Sequence, residues 1–440
     1  MRGPDRSRAT RSASRVPGTG ESLRRTGRIA LLIGVSTLGS FAPLASVAHA
    51  ADWPMVQGTE PPNAPPIRPF GVVQVTGSGI IAEPVFGLSP VLAQFEGERA
   101  SFNTLSPRGA TWGIVVRRAR PGVRGVIPGT GGLVSYYLVA ELGTVPLARD
   151  GPTLADASIT ISWIPGARIR VGQFRLPLMD EAVESNASAA EWINVSLPAS
   201  GLVMENPVRN GRYDGGASGF RDLGVAVFDT HQRGHMALSY ALMVSNGRRG
   251  ALDDDAKDLT ARTMASWVFS GEATDPQRQE LSIFAWGQRG KRHVAGVSAQ
   301  RIRSGVGIHL EKEPIRIRAE LVYASGVIFG GPSPPFAGQP IEVDTFGRGI
   351  GGYVQARVRL FGNARVGARY DELRRGLDEP SATRVSRSFT PMLEYDIVPR
   401  VRLQATYEKR WLFAPSATRD TKTIARSMGD RVDAQVTVSF

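Results

Sequence analysis

A chain of 440 residues with 42% apolar residues, 50 Gly and 30 Pro is too long for a small disulfide scaffold and is neither collagen-like nor disordered in composition. It contains no cysteine, which excludes disulfides, thiolate metal sites, cysteine nucleophiles and lipid acylation at a cysteine. The formal charge of +13 would suggest a nucleic-acid partner until its distribution is followed along the chain.

Residues 1–50 hold eight Arg and two acidic residues, and without them 45 basic and 38 acidic residues remain, a net charge of +7. Arg24, Arg25 and Arg28 precede the apolar run Ile29–Val35, which continues with interruptions to Val47 and ends in Ala48-His49-Ala50. Basic residues, an apolar stretch and a small-x-small site predict a cleaved signal peptide over 1–50, hence an exported protein. Gly, Ser and Pro interrupt the stretch too often for a membrane helix. Residues 51–70 are Pro-rich and predict an extended, poorly ordered lead-in. Nothing after residue 50 offers about 18 consecutive apolar residues, and no second linker interrupts 71–440, which is read as one domain.

Period-two alternation sets the class of that domain. Val432, Ala434, Val436, Val438 and Phe440 share one face of the last segment, and Asp433, Gln435, Thr437 and Ser439 share the other. The same pattern places Arg316, Arg318 and Glu320 together in 315–321, Gln355, Arg357 and Arg359 in 354–360, and Arg402, Gln404 and Thr406 in 401–407. A soluble sandwich strand also alternates, but here one face is charged and the other almost purely aliphatic with terminal aromatics. Such strands suit a wall with lipid on one side and water on the other, because lipid offers a charge no partner. Strand starts are predicted near 111, 132, 157, 167, 221, 235, 259, 279, 292, 305, 315, 350, 364, 388, 400 and 431, with 72–76 as an extra strand or a tether. About sixteen strands predict an all-β protein, a transmembrane antiparallel β-barrel wide enough to leave an aqueous interior.

The stretch from about Thr111 to Gly247 carries Arg117-Arg-Ala-Arg120, Leu154-Ala-Asp-Ala-Ser-Ile159, Val171-Gly-Gln-Phe-Arg-Leu-Pro177, Glu181 and Ser185, then Arg221-Asp-Leu-Gly-Val225 and Ser245-Asn-Gly247. In order and spacing these resemble the phosphate-selective porin O/P family of Gram-negative bacteria. The resemblance implies a homotrimer of sixteen-stranded barrels, each with its own pore, in the cell outer membrane among lipid and lipopolysaccharide. A terminal Phe440 resembles the signal read by the barrel-assembly machinery.

Pro177 to Gly219 is the longest stretch without alternation and is read as an inward-folded constriction loop, with Asp180, Glu181, Glu184, Glu191, Glu205 and Asp214 against Arg209 and Arg212. The wall from Arg289 to Arg410 carries 21 basic and 12 acidic residues. Parity places Arg316, Arg318, Arg357, Arg359, Arg365, Arg369 and Arg402 on its inner face as a basic pore lining. An acidic loop opposite a basic wall predicts a transverse field that disfavours apolar solutes and biases ion choice. Phosphate-selective members add a lysine cluster near the mouth. Here Lys257, Lys291, Lys312, Lys409 and Lys422 are the only lysines and none lies in the loop, although guanidinium also grips phosphate as a fork.

Other chemistries have weaker support. His231 and His235 have ligand spacing but sit in a turn, and His293 and His309 lack the nucleophile motif that a barrel lipase needs. Gly347-x-Gly-x-x-Gly352 precedes a strand instead of following one, which suits a flexible hairpin better than a dinucleotide site. Asp253–Asp255 with Asp258 reads as a solvated loop, and Asn186 and Asn194 fit glycosylation acceptors without meaning in a bacterium. Basic clusters with stacking aromatics for nucleic acid are absent. The sequence therefore predicts a porin for passive diffusion of small hydrophilic solutes or anions, with no catalytic residues, metal or cofactor. The alternative is an occluded structural or adhesive barrel acting through its surface loops.

Overall fold

The computed structural model describes residues 58–100, 112–143, 153–184, 191–204, 208–209, 212–213, 220–247, 257–272, 278–294, 296–336 and 339–440. The signal peptide expected over 1–50 lies outside the described residues, as do Ser185, Asn186, Glu205, Asp214 and Asp253–Asp255. Twenty strands are present: β1 (Arg68–Ile81), β2 (Trp112–Val126), β3 (Val134–Glu141), β4 (Thr153–Ile164), β5 (Ala167–Arg175), β6 (Val208–Arg209), β7 (Arg212–Tyr213), β8 (Arg221–Arg233), β9 (Met236–Ser245) and β10 (Asp258–Ser270). They continue as β11 (Gln279–Val294), β12 (Val297–Lys312), β13 (Ile315–Ser325), β14 (Ile328–Pro332), β15 (Ile341–Asp344), β16 (Arg348–Phe361), β17 (Ala364–Arg375), β18 (Arg384–Val398), β19 (Val401–Phe413) and β20 (Asp430–Ser439). Leaving aside the small hairpins β6–β7 and β14–β15, sixteen strands close into one antiparallel barrel in chain order. Closure leaves no strand edge, which a lipid-facing sheet requires.

Strand parity sorts the side chains as the sequence pattern demands. In β20 the residues Asp433, Gln435 and Thr437 are buried while Val432, Val436 and Val438 are exposed. The exposed aliphatics Val225, Leu242, Ile283, Val306, Leu321, Val354 and Leu393 continue this outer belt. Trp163, Phe361 and Tyr395 flank it near the short turns, and Trp112, Tyr323 and Trp411 near the longer loops. That is the aromatic-edged apolar band of a membrane barrel.

One strand reading is settled and another corrected. Of the two readings of 72–76, the extra strand holds and the tether does not. The segment belongs to β1, which pairs with β20 and seals the barrel. Phe440 exchanges both backbone hydrogen bonds with Gly71 (2.9 and 3.0 Å), and its ring covers the space a Cβ at Gly71 would fill. The starts near 279, 292 and 305 cover two long strands, not three, because β11 and β12 run 16 residues each. The predicted total of about sixteen survives because β1, outside the count from Thr111, offsets the surplus one.

Residues 58–67 are also not a loose lead-in. Glu60 is buried and ion-paired with Arg68 (2.7 Å) and with Arg124. Ser135 Oγ donates to the Gly58 carbonyl (3.0 Å), and Tyr136 Oη donates to that of Pro66 (2.9 Å). This segment is held at the end of β2 and β3 by Arg124 and Ser135 on their inner side and by Tyr136 on the outer side.

Candidate functional site

The connection from β5 to β8, residues 176–220, is the longest in the barrel, and its described parts bond to the inner faces of distant strands. It begins with a short helix, Asp180–Glu184. Arg262 on β10 donates to the Leu178 carbonyl (2.8 Å) and to Asp180 (3.0 Å). Glu320 on β13 accepts the Asp180 amide (3.1 Å) together with Trp286 Nε1 (2.6 Å) and Tyr353 Oη (2.9 Å). Arg175 donates to the Ala182 carbonyl at the other end of the helix (3.1 Å). Burial pushes the Asp180 carboxyl up, but Arg318, His309 and Arg262 around it outweigh burial and hold it well below the usual carboxylate range.

Further along, Glu181 accepts from the Ser196 amide (3.0 Å) and from Arg369 on β17 (3.3 Å). Arg369 also donates to the Asn194 carbonyl (2.9 Å) and lies over the Trp192 ring (5.0 Å). Glu191 pairs with Arg357 (3.0 Å) and Arg316 (3.5 Å) and accepts from Gln355 (3.2 Å). Asn194 reaches Asp433 on β20 (2.7 Å) and Arg117 on β2 (3.0 Å). The last described turn is gripped by β12: Arg301 donates to the Val203 carbonyl (2.6 Å), and Arg303 to that of Leu202.

Apolar packing completes the seat. Leu178, Met179, Val183, Ala199, Leu202 and Val203 join inward-facing Phe228, Met243, Phe284, Trp286, Val322 and Leu373 in one buried cluster. A Cβ on Gly351 would meet the Pro198 ring at 3.0 Å, and one on Gly349 would meet Leu202 at 2.6 Å. The glycine run read as a flexible hairpin is in fact the start of β16, smooth so that this loop can lie against it.

Every one of the seven arginines expected along the wall is ion-paired. Arg318 pairs with Glu311 (3.0 Å) and lies 3.6 Å from Asp180. Arg357, Arg365 and Arg402 share Glu394. Arg359 is partly exposed at the short-turn end and pairs with Glu313 (3.0 Å). The loop carboxylates Asp180, Glu181 and Glu191 thus contact the basic wall instead of facing it across a gap. The Glu184 side chain lies outside the described residues. The expected field between loop and wall therefore collapses, at these residues, into contact pairs.

A second inward basic group lies on β2, β5 and β8. A bulge opposite Gln74 and Val75 adds Arg117 to β2 as an extra residue, so Arg117 and Arg118 both reach inward partners, Asn194 and Gln74 (2.8 Å). Arg120 pairs with Glu141 (2.5 Å), Arg221 with Asp156 (2.9 Å) and Arg168 with Asp229. With Arg124, Arg170 and Arg175 this wall holds eight arginines beside Glu60, Glu141, Asp156, Asp222 and Asp229. The sequence signal was the Arg117–Arg120 run, whose facing a bulge conceals from parity.

The enzyme alternatives do not assemble. His293 points outward, whereas His309 points inward to Glu280 (3.2 Å). His231 and His235 stack separately on Tyr240 and Trp267. Among the described residues there is no group of three or more metal-ligating side chains.

No protein-family model matches the sequence, and no curated protein does. Solved structures do match in fold. The anion-selective porin from Comamonas acidovorans aligns at 12% identity over 85% of this chain and 99% of its own, with a TM-score of 0.53. The outer membrane channel DcaP of Acinetobacter baumannii aligns at 15% over 88% and 100%, TM-score 0.52. OmpF of Salmonella typhi, in complex with daunomycin, aligns at 10% over 85% and 97%, TM-score 0.52. At such identities the likeness is one of fold: a sixteen-stranded barrel of porin type.

Proposed function

We propose that this protein is a passive outer-membrane porin for small hydrophilic solutes with a preference for anions. The observation that carries the reading is a closed sixteen-stranded barrel with an apolar outer belt and a charged inner face, against which residues 176–183 and 191–204 are pinned. The loop narrows the pore, and solutes pass between it and the wall of β2–β8. There arginines outnumber carboxylates and attract anions, while Arg316, Arg318, Arg357, Arg365, Arg369 and Arg402 line and brace the loop's side. Diffusion down a gradient needs no chemical step and no cofactor. Phosphate selectivity and a homotrimer are the finer form of the proposal and follow from the O/P resemblance, whereas export rests on the signal-peptide pattern of residues 1–50 and recognition by the assembly machinery on the alternating strand that ends in Phe440.

A second reading, an occluded barrel working through its loops, draws on a small apolar cap at the loop end. Val85, Phe95, Phe336 and Ile424 come from three different loops and pack together, with Phe95 and Phe336 stacked at 4.5 Å. Single-channel recording of the refolded mature protein in a KCl gradient separates the two. Stepwise conductance with an anion-biased reversal potential supports the porin, with equal triplets for the trimer and block by phosphate for the O/P form. A heat-modifiable, β-rich protein that never conducts overturns it in favour of the occluded barrel.

A further inference from the structure

The outer surface of the barrel is apolar over most of its height but turns basic at one place. Outward parity on β11 runs Leu281, Ile283, Ala285, Gly287, Arg289, Lys291 and His293, all but the small Ala285 and Gly287 exposed. The charge begins where the aromatic edge lies. Tyr323, exposed on β13, stands opposite Ser304 on β12, and one outward step nearer the loops Ile302 stands opposite Arg289 on β11. The next outward step pairs Lys291 with Gln300. These side chains, with Lys257, Val244 and Leu259, line a hollow of about 300 Å³, the share of roughly ten waters. Among the described residues the one carboxylate in its lining, Asp258, is turned inward and engaged by Arg292 (2.8 Å) and Gln288 (3.0 Å). The hollow thus presents Arg289, Lys291 and the Gln300 amide above aliphatic Leu259 and Val244.

We propose that this hollow seats the phosphate group of a phosphorylated glycolipid in the outer leaflet, its acyl chains lying along the aliphatic belt below. The inference rests on the outer-membrane reading, which puts the loop end at the cell surface. Three features fit a lipid better than a dissolved anion. The cations face outward, away from any aqueous path through the barrel. They stand at the headgroup level marked by Tyr323, and the floor of the hollow is apolar and continuous with the belt. Lys and Arg at such a level attract anionic headgroups.

The test uses the full mature barrel in detergent and a triple variant, Lys257→Gln with Arg289→Gln and Lys291→Gln, whose changes are all at surface positions. Native mass spectrometry measures retention of diphosphorylated lipid A, its dephosphorylated counterpart, and inorganic phosphate. Each basic residue beside an anionic lipid surface contributes about fivefold in affinity, so the triple variant should bind diphosphorylated lipid A on the order of a hundredfold more weakly. The dephosphorylated lipid should lose the same factor with the parent protein, and inorganic phosphate should not compete. Equal binding by parent and variant overturns the proposal, as does equal binding of the two lipids. Inorganic phosphate held by the parent and lost by the variant overturns the lipid assignment in favour of a free-anion site. Heat modifiability of the variant confirms that it is folded. Conductance of the same preparations keeps the two readings apart, since a conducting barrel without lipid preference fails only here.

Discussion

Replacing Arg369 by Met tests whether residues 191–204 are held against the wall by charge. Arg369 is 2% exposed and makes three hydrogen bonds to the loop: Glu181 at 3.3 Å, the Asn194 carbonyl at 2.9 Å and the Val195 carbonyl at 3.3 Å. Hydrogen bonds to a charged group are worth about 1.5–3 kcal/mol each, but they are not additive, because Glu181 keeps its Ser196 partner and water enters. Breaking one side of a buried ion pair gives the better figure, about 3–5 kcal/mol. At about 1.4 kcal/mol per tenfold, the local opening equilibrium should rise by about two to three and a half orders of magnitude. Native-state hydrogen exchange reads this directly. The Ser196 amide, bonded to Glu181, and the Met204 amide, bonded to Ala199, should lose that much protection, while amides of β18–β20 keep theirs. Arg369→Lys should fall between, since it retains charge but not the planar fork. Protection at Ser196 and Met204 falling less than tenfold in the Met variant would refute the argument and leave the apolar cluster as the loop's anchor.

Gly351→Val drives a side chain into Pro198, where even a Cβ sits at 3.0 Å. It should weaken loop docking by about 1–3 kcal/mol, seen as noisier open-channel current from a barrel of unchanged heat modifiability. Asp180 gives the pH dependence. Its carboxyl is depressed in the docked loop, so the docked state binds fewer protons than the released one. Docking is therefore at full strength above the ordinary aspartate value of about 4 and weakens as pH falls below it. Current transitions should multiply on that acid side, and Asp180→Asn should show them already at neutral pH. Arg117→Gln with Arg118→Gln removes two of the eight arginines on the β2–β8 wall, so the reversal potential in a KCl gradient should move toward that of an unselective pore. An unchanged value would place selection elsewhere.

Most of the barrel could be read from parity, because a wall between lipid and water forces every second residue to be apolar. The terminal strand, Ile315–Leu321 and Val401–Tyr407 face as their alternation requires. Reading failed where the pattern is interrupted for a reason. In β1, Pro69, Gly71, Gly77 and Gly79 dilute the strand signal, yet Gly71 is small because Phe440 lies on it. In β11 and β12 only Ala295–Gly296 separates two long strands, so no turn signature marks the boundary and Arg301 and Arg303 escaped notice. Gly349 and Gly351 looked like a hinge because their partner, the loop around Pro198 and Leu202, is some 150 residues away in sequence. The candidate site was half legible. The acidic loop and the basic wall were both identified, but alternation assigns a face and says nothing about whether the groups on it are already paired.

That pairing decides which wall does the selecting. A carboxylate and a guanidinium about 3 Å apart, as in Glu191–Arg357 or Glu181–Arg369, form a dipole whose field fades faster with distance than that of a single charge. Solvent and salt screen it further. An ion in the lumen feels such a pair weakly and feels more strongly a wall whose arginines outnumber its carboxylates. On the channel reading, the wall of β11–β19 therefore acts through the loop, setting its position and rigidity, whereas the excess of arginine on β2–β8 acts on the solute. Changes at Arg369, Glu181 or Gly351 should then alter gating and pore width with little effect on ion preference, and changes at Arg117 and Arg118 the reverse. On that reading the two walls divide labour because the loop's carboxylates hold it to one of them, while Asn194 and the Ala182 carbonyl contact the other.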